Sequence, residues 1–201
     1  MVAARLVEEF PEARCELDHR NPFELLAATI LSAQCTDARV NMVTPGLFKE
    51  FPTPEALAVA DISRVEELVR STGFYASKAK NLIGMARALV ERFDGEVPRD
   101  LDDLVTLPGV GRKTGNVVRS VAFQLPGLPV DTHVGRLSRR LGLTKEEDPV
   151  KVELELNKFL PPDEWGAFSL RLILHGRRTC DARKPKCRDC VLVDICPSAN
   201  P

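Results

Sequence analysis

A lysine that acts as a nucleophile must first lose a proton held with a reference pKa near 10.4, so it needs surroundings that disfavour the ammonium. Lys113 lies in LPGVGRKTGNVV, Leu107 to Val118, just after a proline–glycine turn and at the start of a predicted helix. The positive end of the helix dipole and the neighbouring Arg112 both press toward the neutral amine. That is poor for stability and suited to an amine that reacts. Eighteen residues on, VDTHVGRL puts Asp131 directly before another predicted helix, with Thr132 and His133 in its first turn. A carboxylate there can accept the lysine's proton or stabilise positive charge on a carbon losing its leaving group. Asp131 also reads as a plain helix N-cap, and one side chain can serve both ends. Lys113 has plainer readings too, as a phosphate contact or a solvated cation.

Gly109 and Gly111 of the same stretch are expected to permit positive φ and a close approach of backbone amides to a ligand. Amides at a helix N-terminus bind anions, so a phosphate fits there without any sequence being read. A tight turn with no ligand is the competing reading.

Cys180, Cys187, Cys190 and Cys196 follow a C-x6-C-x2-C-x5-C spacing. Four thiols within seventeen residues can converge on one metal centre with little loop entropy to overcome. Structural zinc sites favour two tight knuckles, and only one tight pair occurs here. The longer arms suit a cubane iron–sulfur cluster, with zinc or free thiols left open by spacing alone. Between the first two cysteines, DARKPK offers Arg183, Lys184 and Lys186 to a phosphate, or as counter-charges to thiolates. Cys15 and Cys35 fall in helical contexts and read as small buried hydrophobes.

The elements that must position these groups are helices. Asn21-Pro22 with Glu24 reads as an N-cap and capping box before LLAATIL, and Thr53-Pro54 precedes EALAVA in the same way. Ser63 is expected to open RVEELVRS and Gly73 to stop it in a left-handed conformation. Further helices are expected over 77–93, closed by Asp94-Gly95, and over 101–106, 113–123, 132–141, 149–160 and 164–174. Pro45 should kink or interrupt the helix that contains it. No alternating strand or tandem repeat is evident, so the chain reads as all-α. QLPGLP, 124–129, is the best candidate for a domain crossing.

The 201 residues suffice for one large or two small domains. With a net charge of −1, only the distribution of charge speaks for a polyanion-binding face. Six basic residues stand against Asp131 alone between Pro108 and Arg140, and seven against two acids between Arg171 and Cys190. Solvated helix faces explain the same pattern. The N-terminus lacks the apolar run of a signal peptide, and no segment has the roughly 20 apolar residues that span a bilayer. An intracellular, cytoplasmic and nucleoid-associated location is expected, where six cysteines are no disulfide framework.

LPGVGRKT, VDTHVGRL, LILHGRRTC with its cysteine tail, and NPFELLAATILSAQCTD together resemble the endonuclease III family of the helix–hairpin–helix DNA-repair superfamily. The resemblance covers nearly the whole chain. It implies an all-α fold of two helical domains flanking a DNA cleft. One would be a six-helix barrel with the hairpin, over 20–123; the other, from 1–19 and 124–201, would hold a [4Fe-4S] cluster on the four C-terminal cysteines. Lys113 and Asp131 fall on the family's catalytic lysine and aspartate. Gln34 matches the residue that fills the gap left by an extruded base. The implied DNA contacts are Gln34, Phe74, Gly109, Gly111, Arg112, His133, Arg183, Lys184 and Lys186. The implied activity is that of a bifunctional DNA N-glycosylase and abasic-site lyase, a monomer with no membrane partner. It would act on double-stranded DNA carrying oxidised pyrimidines or abasic sites, through a lysine Schiff base and β-elimination.

Three residues depart from the family's pattern. Phe74 stands where an aliphatic wedge is common, Thr72 is more polar than the usual aliphatic residue, and Gly115 replaces a small alanine at a cost of about 1 kcal/mol to the helix. The N-terminal region is short, so a helix of the cluster domain is expected to be trimmed. Two other readings compete: a related adenine DNA glycosylase, which generally lacks the hairpin lysine and adds a C-terminal domain, and a non-catalytic helix–hairpin–helix DNA-binding module, which needs neither Lys113 nor Asp131.

Overall fold

A computed structural model of the chain describes residues 1–200, and they are helical with no strand among them. They form two compact units, one of residues 15–123 and one of residues 1–14 with 124–200.

The first unit is built around α2 (Pro22–Leu31), in which every residue from Phe23 to Leu31 is buried. A helix apolar on all sides can only sit inside a shell of others. That shell is α3 (Asp37–Glu50), α4 (Pro54–Ala58), α5 (Ile62–Val69), α6 (Tyr75–Phe93), α7 (Leu101–Leu104) and α8 (Arg112–Ala122), with α3, α6 and α8 packed directly on α2. Leu25, Leu26, Leu31, Leu47, Leu57, Leu82, Leu89 and Leu104 are fully buried in one continuous core. Truncating any of these leucines to alanine costs about 2–5 kcal/mol. Cys15 and Cys35 pack half-buried on this core from loops rather than from helices, so the expected helical setting is corrected.

The second unit joins α1 (Val2–Glu9) to α9 (Thr132–Arg140), α10 (Pro149–Leu156) and α11 (Trp165–Arg178). Helix α11 pairs with α9 and α1 over a core that includes Leu6, Phe10, Val134, Leu137, Phe168, Leu172 and Leu192. Arg5 holds the chain's two ends together, donating to Val191 O at 2.8 Å and pairing with Asp194.

Helix starts follow local chemistry, with some revisions. Asn21 accepts from the Glu24 amide at 2.9 Å. Glu24, instead of returning to Asn21, takes the Arg20 amide at 2.8 Å and the Arg20 guanidinium, so its buried carboxylate is paired. Asp61, not Ser63, caps α5, because its side chain reaches the Ser63 amide. Gly73 does have positive φ (71°), but its ψ of 156° is extended, and the stop is made by the 3-10 turn Arg70–Thr72. Helix α3 runs on through Pro45 without interruption. Several C-terminal boundaries move: 101–106 ends at Leu104 and 149–160 at Leu156, while 164–174 continues to Arg178.

Candidate functional site

The hairpin between α7 and α8 turns on Gly109, whose φ is +78°. A Cβ at that position would lie 2.8 Å from Asn81 Cβ on α6, so both conformation and space call for glycine. Gly111 does not share the positive φ expected of it: it is extended, with φ −94° and ψ 175°, and serves as the N-cap of α8. A Cβ there would meet nothing within 4 Å, so the hairpin is open to solvent at this point. Asn21, Thr36, Thr53, Asp61 and Asp100 cap α2, α3, α4, α5 and α7 with their side chains. Helix α8, by contrast, starts without a side-chain cap, the kind of helix start a ligand can complete. Lys113 is the second residue of α8 and is exposed, with Arg112 half-buried beside it.

Asp131 caps α9 in the second unit. Its Oδ1 accepts from the Val134 amide at 2.8 Å, which fixes the carboxylate in place. His133 is half-buried, 3.2 Å from Arg136 Nη2 through Nδ1. Gly176 of α11 lets α9 come close, since a Cβ there would stand 2.8 Å from His133 Nδ1.

The four C-terminal cysteines are half-buried and line a single cavity of about 130 Å³, walled by Leu137, Leu141 and Leu192. Among the described residues, no three histidine, cysteine or acidic side chains converge closely enough to grip a single ion. Four soft donors around a space of this size suit a multinuclear iron–sulfur group better than one zinc ion. Burial pushes the Cys190 thiol pKa up, opposed by the Leu192 N–H, while the negative charge of Cys180, Glu9 and Cys196 adds to the rise. A cationic centre would relieve that repulsion.

The surroundings of the cavity carry residues for which the sequence assigned no part. Arg140 Nη1 donates to Cys180 Sγ at 3.3 Å and to Asp181 O at 2.8 Å, and Nη2 donates to Ala182 O. His175, 2% exposed, links Glu9 of α1, at 2.7 Å from Nδ1, to Cys190 Sγ, at 3.4 Å from Nε2. Asp181 accepts from the amides of Arg183 and Lys184, which lowers its pKa and curls the loop so that Arg183, Lys184 and Lys186 are exposed. The Arg140 and His175 links have no local period; each joins segments well apart in the chain.

Gln34 and Phe74 are exposed, and both have left-handed backbones, with φ of 53° and 49°. Phe74 begins α6 without a side-chain cap. The polar Thr72 is accounted for by burial with its hydroxyl donating to Val69 O at 2.8 Å. Gly115 brings α7 and α8 together, since a Cβ there would lie 2.6 Å from Leu101 Cδ1. No helix among the described residues is long and apolar enough to cross a membrane.

With this geometry in hand, three kinds of relative can be set beside the chain. Residues 27–162 match the HhH-GPD superfamily base excision DNA repair protein family. The endonuclease III of Synechocystis sp. is 56% identical over 192 residues, 95% of this chain and 88% of that one. Two solved endonuclease III–DNA complexes, one non-covalent and one a trapped covalent intermediate, superpose with a TM-score of 0.94 at 46% identity, over 98% of this chain and 93% of each.

Proposed function

The chain belongs to the endonuclease III family of HhH-GPD superfamily base excision DNA repair proteins, and on that premise we propose that Lys113 is the nucleophile of a glycosylase and abasic-site lyase acting on oxidised pyrimidines in duplex DNA. Neither the adenine glycosylase nor the non-catalytic module is favoured by this membership. The observation that carries the reading is the start of α8. Its amides have no side-chain cap, and the exposed Lys113 stands one residue inside them. A DNA phosphate bound by those amides, across a hairpin with nothing over Gly111, would lie next to the amine.

The damaged nucleotide is flipped out, because its sugar carbon cannot be reached inside the stack. Phe74 enters the stack and Gln34 fills the vacated space. Neutral Lys113 Nζ bonds to C1′ as the bond from C1′ to the base breaks, and the departing base takes up a proton. Asp131 accepts the lysine's proton or stabilises the positive charge at C1′. The C1′–O4′ bond then breaks, O4′ taking up a proton, as the nitrogen lone pair makes the protonated Schiff base that acidifies the 2′ position; loss of a 2′ proton expels the 3′ phosphate by β-elimination. Arg112, His133, Arg183, Lys184 and Lys186 bind the backbone without reading sequence.

Cys180, Cys187, Cys190 and Cys196 would hold a [4Fe-4S] cluster, which when bound supplies a cationic, covalent staple for the C-terminal segment. Arg140 and Asp181 then shape the basic loop beside it. The enzyme works as a monomer in the cell interior, on nucleoid DNA.

The test is a duplex with one thymine glycol. The protein should release the base and nick the strand 3′ to the site. Base release without nicking would contradict the lysine mechanism, and neither reaction would contradict the substrate class.

A further inference from the structure

One buried cation in the first unit is used by no step above. Lys78 lies in the first turn of α6 and is only 4% exposed. Its Nζ donates to Thr72 O at 2.8 Å, and its own amide donates to Phe74 O at 3.0 Å. The Lys78 ammonium thus holds the carbonyl just before Gly73, while its backbone amide makes the first helical bond of α6 to Phe74 O. Those two residues are at φ 71° and 49°, and a bulky aromatic side chain pays for a left-handed backbone unless its surroundings impose it. Phe74 itself is 66% exposed, so its own packing does not impose that conformation.

The Cys35 thiol, which follows the left-handed Gln34, acts on the ammonium electrostatically. Burial lowers the Lys78 pKa and the Cys35 thiol opposes the fall. A lysine sunk in a core is costly. Here its ammonium bonds the segment that presents the exposed Phe74 on a left-handed backbone. A norleucine-like apolar chain would fill the space equally well but would leave Thr72 O buried without a donor.

We infer that Lys78 is a positioning residue for base extrusion, fixing Gly73-Phe74 in the conformation that aims the Phe74 ring outward. The inference rests on the reading of Phe74 as the wedge. Preorganising a rigid wedge means its ordering need not occur in the transition state of extrusion.

The two readings separate in single-turnover kinetics on a thymine glycol duplex and on an abasic duplex of the same sequence. An abasic site has no stacked base to expel, so strand cleavage there asks far less of the wedge. Lys78→Met should slow base excision by about tenfold to a hundredfold while abasic cleavage stays near the wild-type rate, and Lys78→Arg should recover most of the loss. The double variant with Phe74→Ala should be no slower than Phe74→Ala alone. Hydrogen exchange should quicken at the Gly73 and Phe74 amides and not along α8. Circular dichroism first establishes folding, and Lys78→Gln takes the place of a Met variant that does not fold. A wild-type rate for Phe74→Ala overturns the wedge itself, whatever Lys78 does. A slow Phe74→Ala with a fast Lys78→Met, losses that multiply in the double variant, or equal slowing of both reactions overturns the positioning inference.

Discussion

At the scale of single residues, Asp131 has two roles that one substitution can part. Its Oδ1 caps α9 through the Val134 amide. Asparagine keeps that acceptor and removes the charge, whereas alanine removes both and forfeits about 1 kcal/mol of cap. Asp131→Asn should therefore unfold with nearly the wild-type midpoint and lose about 10²–10³-fold in base excision, the scale on which a single electrostatic stabiliser is missed. Thermal unfolding beside single-turnover rates checks this; a wild-type rate would reduce Asp131 to a cap. The helix starts at Lys113 and Asp131 and the spacing of the four cysteines were legible in the sequence because both are local properties. Lys78, Arg140 and His175 were not. Each acts through a partner supplied by the fold, and a lone lysine or histidine in a helical stretch carries no mark of it.

At the scale of elements, α8 is the informative helix. Its propensity is weakened by Gly115, and the atom a methyl there would meet is Leu101 Cδ1, the free end of a half-exposed side chain. That end can turn aside, so the backbone gain should win. Gly115→Ala is expected to stabilise by about 0.5–1 kcal/mol, an increase of roughly 1–4 °C in Tm for a chain of this size. A lowered Tm would show that α7 and α8 are packed too tightly to yield. The all-helical pattern and most helix starts followed from capping residues and apolar periodicity. Boundaries slipped where competing caps stood two residues apart, as Asp61 and Ser63 do. They slipped also where a helix was extended by packing, as α11 is beyond Leu174 to Arg178. Gly111 was misjudged because a glycine needed for an open surface looks the same in sequence as one needed for positive φ.

At the scale of the whole molecule, charge is nearly balanced while basic groups gather at the hairpin, α9 and the cysteine loop. The loop is anchored at both ends by cysteines that line the cavity, Cys180 and Cys187. The purified protein should be brown and carry about four irons per chain, as a cubane cluster requires. Removing the iron should make the bonds after Arg183 and Lys186 newly sensitive to trypsin, read by mass spectrometry. One zinc per chain, or a loop equally resistant without iron, would contradict this assignment. The central claim, a lysine Schiff base at Lys113, is tested most directly by borohydride trapping on thymine glycol and abasic duplexes. The account predicts a covalent complex on both, absent in Lys113→Gln although that variant still binds abasic DNA. Trapping that survives in Lys113→Gln, or fails in the wild type with binding intact, would contradict it.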